Sequence, residues 1–236
     1  TQGYSSAASD VYKRQDIDRD VLAEDNLAVA STPSARSRPF VACGRALQGH
    51  AFEIRDNNGK ALPERHVGRV FFRGPSVMGG YFEQPGLTAE VLGDDGWLDT
   101  GDLGYLLDGE IIITGRAKDL IILNGRNIWP QDLEWEAEEL PELRRGDVAA
   151  FSIEDDQAGE TVVVLVQCRI GDVAQREKLK REIYALLQRA HGVEARVVMV
   201  PPKALPQTSS GKLSRSKAKA NYLSGAYDQF DAAVGA

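Results

Sequence analysis

The sequence is poor in the residues that bind transition metals or cross-link a chain, with two cysteines and three histidines among 236 residues. Cys43 and Cys168 lie far apart, each in an apolar setting, and read as two buried, reduced thiols. A disulfide is the alternative, but nothing supports secretion. His50, His66 and His191 have no ligand spacing with each other or with the cysteines, so no transition-metal site is read. No apolar run approaches the roughly 20 residues that span a bilayer. No charged-then-apolar signal segment opens the chain. Positive charge is in deficit, and a net charge of -7 argues against a general nucleic-acid binder. The tail nevertheless gathers Lys203, Lys212, Arg215, Lys217 and Lys219. No internal repeat is visible.

What is present suffices for a core. Hydrophobic residues make up 42% of a length that fits one large or two modest domains. Residues 1–15 are polar and without periodicity. They read as a non-native or disordered leader, with the native chain starting further upstream. Residues 16–40 begin charged and end in a Ser/Pro-rich loop composition. From Phe40 the pattern is β. Strands are expected over 50–55 and 67–73, with a turn at Asn57-Asn58-Gly59 and a stop at Gly74-Pro75. Two more, 103–107 and 110–114, flank the hairpin signal Asp108-Gly109. Short strands with frequent turns imply a small barrel or a distorted sheet.

After Lys118 the pattern changes. A strand is expected over 119–123, and Pro130 suits the first turn of a helix that ends before Pro141. Trp129 and Trp135, at the start of that helix, read as packing groups. Strands follow over 147–153, 160–168 and 194–200. The run Val162-Val163-Val164-Leu165-Val166 is continuous enough to be buried on both faces. Leu179, Ile183, Leu186, Leu187 and Ala190 mark an amphipathic helix that Gly192 stops. Residues 201–211 are a loop and 214–222 a terminal helix. The fold class is α/β in the broad sense, with an α+β second part.

The chemistry gathers within residues 97–130. Asp99-Thr100-Gly101-Asp102 reads as an acidic turn. Gly115-Arg116-Ala117-Lys118-Asp119 is a charged break between two strand-like runs and suits a hinge with a site beside it. A carboxylate such as Asp102 can accept hydrogen bonds from a ribose diol, and it can equally be a turn residue. Arg116 offers a planar set of donors, or an ion pair with Asp102 or Asp119. Lys118 reads as a solvated charge or as a hinge residue, with Asp119 the neighbouring alternative. Thr208-Ser209-Ser210-Gly211-Lys212 is not a Walker A loop, because Pro206 and Leu213 stand where that motif needs Gly and Ser or Thr.

Thr100-Gly101-Asp102, the run GRAKDLIILNGRNIWPQDLE, and Pro206 through Lys212, in that order, resemble the acyl-adenylate-forming family of acyl-CoA synthetases, luciferases and peptide-synthetase adenylation domains. The form Gly125-Arg126-Asn127 with Pro130-Gln131-Asp132 is most similar to fatty-acyl-AMP ligases. The resemblance covers residues 16–223 and only the last part of such an enzyme. It implies that residues 16–117 close a large N-terminal domain and that 118–236 form a smaller, mobile C-terminal domain. It implies further that Asp102 holds the ribose of ATP, that Arg116 contacts ribose and phosphate, and that Lys118 or Asp119 is the hinge. On the same basis Lys212, on a flexible loop, neutralises the attacking carboxylate and the α-phosphate. Gly125 falls where pantetheine passes close to the backbone in acyl-CoA synthetases. Residues 16–40 match an insertion that hinders the domain swing needed for thioester formation.

The family's Ser/Thr/Gly-rich phosphate loop, its Tyr-Gly-x-[Thr/Ala]-Glu segment with a Mg²⁺-binding Glu, and its fatty-acid tunnel have no counterpart in this sequence. The chain is therefore expected to hold half an active site and to have little activity alone, with the Mg²⁺ ligands upstream and no metal ligand of its own. The reaction implied is fatty acid plus ATP giving acyl-AMP and pyrophosphate, in the cytoplasm, with transfer to a carrier-protein thiol. An acyl-CoA synthetase that makes the CoA thioester itself, or a non-catalytic module that kept the fold, are the alternatives.

Overall fold

The structure is a computed structural model that describes residues 13–34, 36–155 and 159–232. The chain divides into two units. The first runs to Leu120 and takes in Gly125–Asn127; the second comprises Ile121–Asn124 and the chain from Ile128.

In the first unit β1 (Arg14–Asp18) leads into α1 (Arg19–Asp25). Asp18 caps that helix by accepting from the N–H groups of Asp20 and Val21, and Asn26 ends it in the left-handed region. Then come β2 (Ser37–Arg45), β3 (Ala51–Arg55), β4 (Gly68–Arg73), α2 (Pro85–Val91), β5 (Leu98–Leu107) and β6 (Glu110–Arg116). The six strands form one sheet in the order β1-β2-β6-β5-β4-β3, antiparallel throughout. Among the described residues its edges, β1 and β3, stay open, so the sheet is distorted and does not close into a barrel. Asp108 and Gly109, both at positive φ, make the two-residue turn between β5 and β6.

Three readings of the sequence need correction here. Arg14 and Gln15, placed in the leader, pair with Val41 and Phe40 in β1; residues 1–12 lie outside the described residues. The acidic turn at 99–102 lies inside β5, which is longer than the expected strand. Cys43 is exposed, because Arg38 and Phe40 set the inward positions of β2 and the alternation turns residue 43 outward.

A 3₁₀ turn (Ala117–Asp119) follows β6, where a strand was expected to begin at 119. Two short strands, β7 (Ile121–Leu123) and β8 (Arg126–Ile128), flank Asn124 and Gly125, both at positive φ.

The second unit continues with α3 (Pro130–Glu138), β9 (Val148–Asp155), β10 (Gly159–Gln167), α4 (Val173–His191), β11 (Ala195–Val200), α5 (Arg215–Leu223) and α6 (Asp228–Ala232). Its sheet has the order β11-β10-β9. β10 is antiparallel to β9 and parallel to β11, as a crossover through α4 requires. The central strand is buried on both faces. Val162, Val164 and Val166 pack with Leu133, Leu179, Ile183 and Leu187 from α3 and α4. Val163 and Leu165 pack on the other side with Leu205, Ala218 and Tyr227. Asp172 caps α4 by accepting from the N–H of Gln175, and left-handed Gly192 ends it. Trp129 is buried, but Trp135 is exposed on the outer side of α3. No helix among the described residues is long and apolar enough to cross a membrane.

Candidate functional site

Asp102 owes its position to two irregularities in neighbouring ladders. Between β4 and β5, Arg69 stands opposite Leu103 and Phe71 opposite Asp99, so Val70 alone faces residues 100–102. The excess backbone bulges out at Gly101, whose φ of 73° lies in the left-handed region that favours glycine. Between β5 and β6, Leu103 pairs with Gly115 but Gly104 pairs with Ile113, leaving Thr114 as the extra residue. The register between these two shifts sets Asp102 directly across from Arg116. Their side chains meet, with Arg116 Nε 3.0 Å from Asp102 Oδ1.

The bulge is held by its own polar groups. Thr100 Oγ1 donates to the carbonyl of Val70 at 2.8 Å and accepts from the N–H of Asp102 at 3.2 Å. Asp99 Oδ1 accepts from the N–H of Gly101 at 2.9 Å, while its Oδ2 takes Nε and Nη2 of Arg69 at 2.8 and 2.6 Å. The two aspartates thus divide their work. Asp99 is committed to the sheet. Asp102, partly exposed, pairs with Arg116, which is itself exposed. A carboxylate paired with a solvent-facing guanidinium, on a backbone fixed by a bulge, suits capture of a diol and an adjacent phosphate.

Lys118 is exposed and Asp119 half-buried, and both lie in the 3₁₀ turn that links β6 to β7. Gly125 is exposed with a φ of 79°, and a side chain there would meet open space. The Asn124-Gly125 turn is enough to require it. Within the first unit, Arg126 lies 3.9 Å from Asp20 and 3.5 Å from Glu24 of α1, and Asn127 Nδ2 donates to Asn26 Oδ1 at 2.7 Å.

Lys212 belongs to the second unit, and its loop is more ordered than the Gly/Ser composition suggests. Gln207 bridges Leu213. The N–H of Thr208 donates to the carbonyl of Lys212 at 2.7 Å, and the N–H of Lys212 to Thr208 Oγ1 at 3.2 Å. Gly211, at a φ of 75°, closes the turn by donating to the carbonyl of Thr208. The Lys212 side chain is exposed at the tip of this small hairpin.

Sequence reasoning missed the groups that support these residues. Arg69, Asp99 and Thr100 brace the bulge. Glu134 and Arg215 brace the hairpin: Arg215 Nε and Nη2 donate to Glu134 Oε1 and Oε2 at 2.7 and 2.6 Å, with Glu134 5% exposed. One signal was available. Pro130, Leu133, Glu134 and Ala137 share the buried face of α3, so a carboxylate sat on an apolar stripe.

Among the described residues no group of three or more His, Cys, Asp or Glu could hold a metal ion.

No family model matches the chain. A putative acyl-CoA synthetase of Caulobacter vibrioides is 59% identical over 212 residues, which are 89% of this chain and 36% of that protein. A long-chain-fatty-acid–AMP ligase of Mycobacterium tuberculosis is 34% identical over 189 residues, 73% of this chain and 32% of the relative. A chain solved in structural and functional studies of fatty acyl-adenylate ligases from E. coli and L. pneumophila is 43% identical. It superposes with a TM-score of 0.80 over 94% of this chain and 39% of its own length. The chain therefore spans between 32% and 39% of the length of these relatives. Over that span it belongs to the acyl-adenylate-forming ligases, the family of the acyl-CoA synthetases and fatty-acyl-AMP ligases.

Proposed function

We propose that this chain is the C-terminal part of an enzyme that activates a fatty acid by adenylation, and that the acyl group then passes to a carrier-protein thiol. The observation that carries the reading is the cross-strand pair Asp102–Arg116, held at a double bulge while Asp99 is tied to Arg69. In this reading Asp102 accepts hydrogen bonds from the ribose hydroxyls of ATP. Arg116 reaches ribose and phosphate with the guanidinium nitrogens turned away from Asp102. Lys212 places its ammonium against the carboxylate and the α-phosphate, where opposite charge lowers the barrier to their approach. ATP supplies the electrophilic phosphorus and the pyrophosphate leaving group. Mg²⁺ would assist the reaction, held by residues upstream of this span.

Residues 118–236 act as the mobile domain, turning at Lys118 or Asp119. The support is that both sit in a single 3₁₀ turn close to the boundary between the two units. Gly125 passing beside pantetheine is supported only by the open space at its Cα. A cytoplasmic location goes with this reading and is supported by two free thiols.

The test is product analysis by mass. The chain, extended at its N-terminus to the length of its relatives, is incubated with a long-chain fatty acid, ATP and Mg²⁺, with and without CoA. Acyl-AMP that persists in the presence of CoA is the expected result. Rapid conversion to acyl-CoA would assign the protein to the synthetases, and absence of both products would contradict adenylation.

A further inference from the structure

The hairpin that carries Lys212 has two roots in the second unit. At one root Leu205 is buried, and its N–H donates to Gln167 Oε1 at 3.3 Å. Gln167 is held in turn through Nε2 to Asp147 Oδ1 at 3.2 Å. At the other root, three residues beyond Lys212, stands Arg215 at the start of α5. Its guanidinium makes the fork-to-fork ion pair with Glu134 described above. Glu134 Oε1 also accepts from the N–H of Ala150 in β9 at 3.0 Å. Helix α3, strand β9 and the hairpin therefore converge on one buried carboxylate. The hairpin closes between the two roots, with the N–H of Ser214 donating to the carbonyl of Pro206 at 2.9 Å.

An exposed lysine with four rotatable bonds is a poor instrument unless its backbone is fixed. Bidentate Arg–carboxylate contacts are directional as well as strong, so they fix the angle at which a segment leaves a core, and lysine cannot reproduce the fork. We propose that Arg215, clamped by Glu134, is a positioning residue that sets the placement of the 206–214 hairpin and so the delivery of Lys212. The inference rests on the reading of Lys212 as the catalytic ammonium. It predicts that weakening the clamp impairs the chemical step more than nucleotide binding.

Glu134→Gln keeps an oxygen for the N–H of Ala150 and removes the charge; Arg215→Lys keeps the charge and removes the fork. Amide hydrogen exchange on this chain is the first measurement. In both variants the amides of Gly211 and Lys212 should exchange about tenfold faster or more, while those of Val164 and Leu165 in β10 stay at the wild-type rate. Equal acceleration in hairpin and β10 would mark a merely structural pair, and no change in the hairpin would mean no anchor; either overturns the inference. The second measurement is acyl-AMP formation by the N-terminally extended protein. We expect kcat to fall about 10- to 100-fold with KM for ATP within about twofold, and the double variant to be no worse than the more impaired single one. Unchanged kcat in variants of an active protein overturns the positioning role alone. A wild-type protein that makes no acyl-AMP instead overturns the functional reading on which it stands.

Discussion

At the scale of single residues, Gly104 decides whether the bulged ladder can close. A β-carbon there would lie 2.4 Å from the carbonyl oxygen of Ile112 and 3.1 Å from Val70. Backbone in the middle of a sheet cannot retreat as a flexible side chain can. Gly104→Ala should therefore destabilise the first unit by roughly 2–4 kcal/mol in chemical denaturation. The two aspartates of the bulge make a sharper comparison. Asp99→Asn loses the charge that holds Arg69 and should lower stability by about 1 kcal/mol. Asp102→Asn should leave stability within about 0.5 kcal/mol, since an exposed ion pair contributes little. It should instead weaken ATP binding by the extended protein, read by calorimetry. Equal effects of the two on stability and binding would contradict the division of labour between them. Sequence alone could offer Asp102 on the strength of its motif, but not the role of Asp99. That role depends on Arg69, thirty positions away along the chain and brought near by strand pairing.

At the scale of elements, β10 is the strand whose environment was most legible. Its unbroken apolar run demanded cover on both faces, and helices on one side with α5 and Leu205 on the other supply it. Leu165→Ala should cost about 2–5 kcal/mol, the range for an emptied core site. The first unit's strands were legible where turn residues marked them, as at Asp108-Gly109. The bulges were not, because a bulge is a mismatch between two strands and leaves no periodicity in either. The Lys212 hairpin was missed for a related reason: its bonds run between backbone groups and hydroxyls that a Ser/Gly composition does not order by itself.

The second unit also carries an acid-sensitive clamp. Burial pushes the Asp147 carboxyl up, but hydrogen bonds from Arg169 and the N–H of Arg144, with the charge of Arg169, hold it below its ordinary value. A depressed carboxylate contributes stability that is present above its unfolded-state value and lost as pH falls through the folded-state value. Burial holds nearby Glu138 above its ordinary value, against hydrogen bonds from the N–H groups of Gly146 and Val148, so its contribution runs the other way. Stability of this unit should decline as pH falls below about 4, and Asp147→Asn should flatten that decline. An Asp147→Asn variant with the wild-type slope would show that another group governs the acid limb.

At the scale of the whole molecule, the chain holds two units, each with its own core, and each bearing part of the proposed machinery. Asp102 and Arg116 lie in the first and Lys212 in the second. The motifs that carry the family resemblance are the strand and loop segments bearing these side chains, which is why the family was readable before the fold. Their braces were not readable, because Arg69, Glu134 and Arg215 act through partners distant in sequence. The most direct test of the account is fatty-acid-dependent exchange of pyrophosphate into ATP by the N-terminally extended protein, comparing wild type with Lys212→Ala and Asp102→Asn. The account predicts exchange in the wild type and a loss of about 10²-fold or more in Lys212→Ala, with Asp102→Asn impaired mainly through KM for ATP. Exchange at the wild-type rate in both variants would contradict it.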